Sequence, residues 1–363
     1  MSALKAELAG LIREEGPISV SRYMALCLGH PRHGYYMKRD PFGAQGDFIT
    51  APEISQMFGE LIGLWAAHVW QAMDAPASLR LIELGPGRGT LMADVLRATK
   101  IVPGFRDAVS VHLVETSPAL REMQARTLAG LAAPVWHDGI ATALDGPVLV
   151  LANEFLDALP LDQFVMTPQG WRERLVGLDA AGELSFGLSA VDAGLSLAAP
   201  EGALLEQPLA ALDIVAVLAR HLAEAGGVAL LIDYGSARSG FGDTLQAMKS
   251  HAFTSPLSEP GEADLTVHVD FARVAQAGLS SGAAAHGPAT QRDFLLTLGL
   301  AGRAQALSHK ASREQAITIE AAFDRLTEQG ATGMGELFKV LALSHRNLLP
   351  LPGFDLHRLP EQV

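Results

Sequence analysis

The chain has one cysteine, Cys27, in 363 residues. A single cysteine excludes a disulfide framework and any cysteine-based zinc site, and it fits a reducing compartment. Cys27 itself reads as a small buried hydrophobe beside a helix. No run of about 18 apolar residues occurs, so no membrane-spanning helix is expected. Charged residues are few, 18% against 49% hydrophobic, which excludes a disordered chain and leaves enough apolar material for a sizeable core. Positive charge is the scarcer sign: 27 Lys and Arg against 40 Asp and Glu, or 27 − 40 = −13. That balance argues against nucleic acid or an anionic membrane surface as a partner. Residues 1–10 show neither the apolar core of a signal peptide nor the arginine-rich pattern of a transit peptide, so the expectation is a cytoplasmic protein. Internal repeats and low-complexity segments are also missing.

Residues 3–15 place Leu4, Leu8, Leu11 and Ile12 at helical spacing, and Gly16-Pro17 ends that helix. A second helix runs to about Gly29, followed by a loop from His30 to Thr50 that carries Tyr35 and Tyr36. Pro52-Glu53 then opens a long amphipathic helix read through Met73. From Leu79 strands and helices alternate. Strands are read at 79–84, 109–114, 135–137 and 147–152, then at 228–232 and 337–343, with a short one at 283–287. Near-continuous apolar strands alternating with helices predict a doubly wound, mostly parallel sheet of the Rossmann-like α/β class, with ligands at the carboxyl ends of its strands. Residues 163–190 break the rhythm with three short antiparallel strands and read as a β-rich insertion, extending with a helix over 204–225 to about residue 225. Helices are also read at 264–279, 291–298 and 313–329. The expected organisation is an N-terminal helical region with a flap over 1–75, a core over 76–345 and a tail over 346–363.

The stretch Leu81-Ile82-Glu83-Leu84-Gly85-Pro86-Gly87-Arg88-Gly89-Thr90 joins strand to helix through a glycine turn. Such a turn brings backbone N–H groups and the positive end of a helix to a ligand. A dinucleotide fingerprint needs a third glycine where Thr90 stands, and its acid about 20 residues on, whereas Glu115 comes 115 − 85 = 30 residues after Gly85. No Gly-Lys-Ser/Thr follows, so the turn is not a Walker loop either. What remains is a nucleoside-type ligand without a pyrophosphate. Glu83 lies inside an apolar strand, where a carboxylate is costly unless a cation or a donor meets it. Glu115, ending the second strand, is placed for two ribose hydroxyls. Asp138, ending the third, could take an exocyclic amine or could be a surface turn residue. Acid, glycine loop, acid and acid at successive strand ends form the layout of an S-adenosyl-L-methionine site, with a ligand-free strand–helix turn as the alternative.

Five motifs stand in one order: Gly46-Asp47-Phe48-Ile49-Thr50-Ala51-Pro52-Glu53-Ile54-Ser55, Leu84-Gly85-Pro86-Gly87-Arg88-Gly89-Thr90, Ala152-Asn153-Glu154-Phe155-Leu156-Asp157-Ala158-Leu159-Pro160, Ile232-Asp233-Tyr234-Gly235 and Asp264-Leu265-Thr266-Val267-His268-Val269-Asp270-Phe271. In this, roughly over residues 15–345, the sequence resembles the MidA family of class I methyltransferases. Mitochondrial members of that family are respiratory complex I assembly factors that methylate an arginine of a complex I subunit. The resemblance implies S-adenosyl-L-methionine bound at Glu83, Gly85, Gly87 and Glu115, and a protein substrate with an accessible arginine.

A guanidinium stays protonated in water, so its methylation calls for carboxylates against its nitrogens. Glu154, Asp157 and Asp233, at the ends of the fourth and fifth long strands, are the candidates for positioning the acceptor. Gly89, Asn153, Asp138, Thr50 and Asp47 complete the candidate cofactor set. For Asn153 and Asp157 the competing role is capping a following helix. Thr50 and Glu53 could likewise cap and stabilise the helix opened by Pro52. His268 and Asp270 have no second histidine at ligand spacing, so no metal is expected. The Gly278–Gly282 serine pattern follows a helix rather than a strand and is no nucleophile elbow. Two other functions stay open: methylation of a small molecule or another side chain, and an assembly chaperone that holds the cofactor for structure alone.

Overall fold

The computed structural model describes residues 2–38, 50–330, 332–348 and 350–354. Asp47 and most of the tail lie outside them. The chain forms two compact units, each assembled from separated segments.

The first unit comprises Ile49–Phe155, Ile214–Arg238 and Val269–Val363. Its sheet contains β1 (Leu79–Leu84), β2 (Val109–Val114), β3 (Val135–His137), β4 (Val148–Asn153), β5 (Gly227–Ser236), β6 (Ala284–Thr290) and β7 (Phe338–Ser344). They lie in the order β6-β7-β5-β4-β1-β2-β3, and the short strand Val269–Asp270 pairs with the end of β5. The pairs from β5 to β3 are parallel, and β7 runs antiparallel to both β5 and β6. This is the expected doubly wound, mostly parallel sheet. The strand order reverses between β1 and β4, the switch point where such sheets bind ligands. Leu81, Leu113, Leu149, Leu151 and Leu230 are buried in its core, as apolar strands covered on both faces require.

The segment read as one helix from Pro52 to Met73 is two. Ala51–Ile54 forms a short turn, Ser55 is extended with φ −160°, and α1 (Gln56–Ala72) starts after it. The Ser55 hydroxyl accepts the Met57 N–H and so caps the second piece. The helix α2 (Thr90–Ala98) follows β1, and α3 (Pro118–Thr127) follows β2 with Ser117 as its cap. A helix over Leu300–Ser308 was not expected.

The second unit comprises Met1–Phe48, Leu156–Asp213 and Ser239–His268. The antiparallel strands Asp162–Thr167, Gly170–Leu178 and Leu184–Asp192 are the expected insertion. Ile18–Ser19 and Leu204–Gln207 join them to make five strands. The strand at 204–207 replaces the start of the helix expected there, and the helix itself begins at Leu209, after Pro208. Asp264–Thr266, expected to be helical, pairs as a strand with Gln246–Lys249, and the helix starts at Phe271 with Asp270 as its cap. The N-terminal helices and the insertion therefore belong to one body, although they are distant in sequence. Leu4, Leu8 and Ile12 share a hydrophobic cluster with Val176 and Leu184, an association that no local pattern encodes.

Candidate active site

The glycine turn follows β1 directly. Gly85, Gly87 and Gly89 have φ of +59°, +51° and +81°, a backbone that residues with a Cβ rarely adopt. At Gly85 a Cβ would also stand 2.9 Å from the Phe155 ring. The turn delivers the N-terminus of α2, and Glu83 takes a hydrogen bond from the Met92 N–H in its first turn. Glu83 is 3% exposed. Its Oε2 has no hydrogen-bond partner among the described residues. Burial pushes its carboxyl up to about 8, with the Met92 bond working weakly against that.

Registry aligns Glu83 with Leu113 and Leu151, and Asn153 lies two residues beyond Leu151 on the same face of the sheet. Asn153 Oδ1 is also buried without a partner among the described residues. Two orphaned acceptors on adjacent strand ends, one of them a carboxyl oxygen, suit a ligand that brings N–H donors and positive charge.

Glu115 follows β2 and extends its pairing, donating its N–H to the His137 carbonyl at 3.0 Å. Its Oε1 accepts the Ser117 N–H at 2.8 Å and its Oε2 accepts Gln124 Nε2 at 3.2 Å. Burial raises this carboxyl, and the donors pull it back. Asp138, by contrast, has a side chain 90% exposed and paired with Arg121 at 2.6 Å. Arg121 Nε also donates to the Glu115 carbonyl at 2.7 Å, so this arginine ties the ends of β2 and β3 together. The surface turn residue is thus the better description of Asp138. Gln124 is fully buried and does not stand out in the sequence. One glutamine among the several polar residues of an ordinary amphipathic helix carries no signal.

At the end of β4, Glu154 has φ +51°, a left-handed backbone that is strained for a non-glycine residue. Its N–H still donates to the Ile232 carbonyl at 2.8 Å, and its Oε1 accepts Asn153 Nδ2 at 2.9 Å and the Ala51 N–H at 3.2 Å. No helix follows, so neither Asn153 nor Asp157 is a helix cap. Asp233 is 1% exposed and spends both oxygens on backbone: Oδ2 accepts the Phe155 N–H at 3.1 Å and Oδ1 the Tyr234 N–H at 2.9 Å. It pins the turn that carries Glu154. Asp157 falls in the second unit, where it is buried and its carbonyl accepts the Val267 N–H at 3.0 Å.

Thr50 precedes the short helix, but its side chain makes no cap. Glu53 accepts the Thr90 hydroxyl and stands 3.7 Å from Arg88, which fastens this segment to the glycine turn. Among the described residues no group of three or more His, Cys, Asp or Glu is arranged to hold a metal ion, and no helix is long and apolar enough to cross a membrane.

Residues 61–289 match the model of a family of S-adenosyl-L-methionine-dependent methyltransferases. The mitochondrial protein arginine methyltransferase NDUFAF7 homolog of Drosophila melanogaster is 37% identical over 97% of this chain and 89% of its own length. The mitochondrial NDUFAF7 of Homo sapiens is 36% identical over 92% and 81%. A crystal structure of a COG1565 superfamily member from Burkholderia thailandensis bound to S-adenosyl-homocysteine is 30% identical, with a TM-score of 0.81, covering 97% of this chain and 94% of that one. The mitochondrial relatives overturn the expectation of a cytoplasmic protein. That expectation rested on the absence of a leader pattern, and an absence carries no address.

Proposed function

The chain belongs to this family and is an S-adenosyl-L-methionine-dependent methyltransferase, and we propose that its acceptor is an arginine side chain of a protein. The observation that carries the acceptor is Glu154, a carboxylate held on strained backbone where β4 meets the switch point of the sheet. Relatives named protein arginine methyltransferases support the same choice. The resemblance to the MidA family points to a subunit of respiratory complex I, or its bacterial counterpart, as the protein that carries the arginine.

The residues divide the work. The turn at Gly85, Gly87 and Gly89 lets backbone approach the cofactor closely. Glu83 Oε2 and Asn153 Oδ1, both without a partner among the described residues, would accept hydrogens from the cofactor's ammonium group. Glu115 takes the Ser117 N–H on Oε1 and the Gln124 amide on Oε2, with the Thr116 N–H beside them, and its remaining lone-pair capacity would serve the ribose hydroxyls. When bound, the cofactor supplies an electrophilic methyl group on a sulfonium. Methyl transfer is an in-line displacement, so orientation and exclusion of water are the protein's main contribution. Glu154 would bind the guanidinium. It would accept the proton that the guanidinium nitrogen loses when the methyl group passes from sulfur to that nitrogen, the carbon–sulfur bond breaking as the carbon–nitrogen bond forms. Asp233 acts through the turn it pins.

The test is incubation with labelled S-adenosyl-L-methionine and lysate from a strain lacking the protein, with the label mapped by mass spectrometry. Label on a protein arginine is expected; label confined to a metabolite overturns the acceptor. Glu154→Gln should lower turnover by roughly 100-fold while S-adenosyl-homocysteine affinity stays within about 3-fold. Unchanged turnover removes Glu154 from this role.

A further inference from the structure

Gln124 lies on α3 with 0% of its surface exposed, and its amide makes three hydrogen bonds. Nε2 donates to the Gly87 carbonyl at 2.9 Å and to Glu115 Oε2 at 3.2 Å, while Oε1 accepts the Trp136 indole N–H at 2.8 Å. An indole N–H only donates, so it dictates which end of the amide carries the oxygen. Both amide hydrogens then face acceptors, one in the glycine turn and one on the acid after β2.

We propose that Gln124 is a positioning residue for ribose recognition, a crossbar oriented by Trp136 that sets the glycine turn and the Glu115 side chain together. The proposal rests on the reading of Glu115 as the acceptor of the ribose hydroxyls. Apart from Gln124, the carboxyl is held only by the adjoining backbone N–H groups of Thr116 and Ser117. A carboxylate held from that one side can turn about it, and a turning carboxylate cannot present both oxygens to two adjacent hydroxyls at once. Nε2 removes that freedom. It does so from inside the protein, where no water replaces it once it is lost. The same nitrogen fixes the Gly87 carbonyl, so the turn and the acid cannot shift independently.

Isothermal titration separates this role from mere support of the fold. S-adenosyl-homocysteine and an analogue lacking both ribose hydroxyls are titrated into wild type, Gln124→Met and Trp136→Phe. Wild type should bind the analogue at least about 10-fold more weakly, the hydroxyls being charge-assisted partners of Glu115. Gln124→Met should lose about 10-fold to 100-fold in affinity for S-adenosyl-homocysteine and less than about 3-fold for the analogue. Its KM for S-adenosyl-L-methionine should rise with kcat at saturation within about 2-fold, as expected for lost uniform binding. Trp136→Phe keeps the amide and frees its orientation, so it should show the same pattern at smaller amplitude. It decides the matter if circular dichroism shows that Gln124→Met does not fold. Equal loss for both ligands in folded variants, or no loss, overturns the role of Gln124 while leaving Glu115 in place. A wild type that does not discriminate between the ligands overturns the reading of Glu115 itself.

Discussion

Adjacent strands β1 and β2 each lead to a buried glutamate, and the two are held differently. Glu83 receives one backbone N–H and keeps an oxygen with no partner among the described residues, and burial moves its carboxyl up to about 8. Glu115, nearly as buried, receives the Ser117 N–H and the Gln124 amide, with Arg121 adding its charge, and these offset part of the burial effect. The number of donors already in place sets how far burial can raise a buried carboxyl. Glu115 is an acceptor prepared for neutral hydroxyls. Burial favours the neutral form of Glu83, and a cationic ligand beside it would favour the ion.

The sharpest way to break this comparison is to remove the loop between the two acids. Gly87→Val places a branched side chain at φ +51°. It should abolish the thermal stabilisation given by S-adenosyl-L-methionine; a normal shift in a folded variant would put the ligand elsewhere. Glu83→Gln comes next. A carboxyl raised from 4.5 to about 8 in the folded protein imposes no penalty below pH about 4.5 and its full penalty above about 8. Wild type therefore loses stability as pH rises through that window, and the variant should not. The gap should reach at most about 5 kcal/mol by chemical denaturation. Parallel pH profiles would mean that Glu83 is already an ion. Glu115→Gln should cost roughly 1.5–3 kcal/mol in S-adenosyl-homocysteine affinity, measured by titration, with a much smaller pH-dependent stability gain. An affinity equal to wild type would show that the donors around Glu115 serve only the fold. Asp138→Asn should do least. An exposed ion pair with Arg121 is worth under about 1 kcal/mol, and a loss of affinity beyond about 5-fold would restore Asp138 to the cofactor site.

The strand ends were legible because a charged residue closing an apolar run is costly to bury unless a ligand or a donor meets it. Glu83, Glu115 and Glu154 all emerge this way, and β1 and β2 fall on the ranges read from the sequence. The dinucleotide alternative also fell at that level, through Thr90 and the spacing to Glu115. Less legible was anything that depends on what a side chain meets after folding. Asp233 and Glu154 look equivalent in sequence, yet one is consumed by two backbone N–H groups while the other sits on left-handed backbone. Gln124 gave no hint, because its burial is created by the turn at Gly87 and the indole of Trp136, 37 and 12 residues away. The break at Ser55 is hidden by Pro52 and Glu53, which announce a helix so strongly that the hydroxyl restarting it reads as interior.

Among the described residues, the last strand of the sheet in chain order is not at its rim. β7 lies between β5 and β6, and it is made 338 − 236 = 102 residues after β5 is complete. At about 5–20 residues per second, a ribosome leaves the edge of β5 from Val228 to Tyr234 without its neighbour for roughly 5–20 s. During that interval β6 has no partner to join, and an open apolar edge of this kind recruits other chains. A chain that stops between residues 237 and 337 has β5 without its β7 neighbour and so carries an open strand edge.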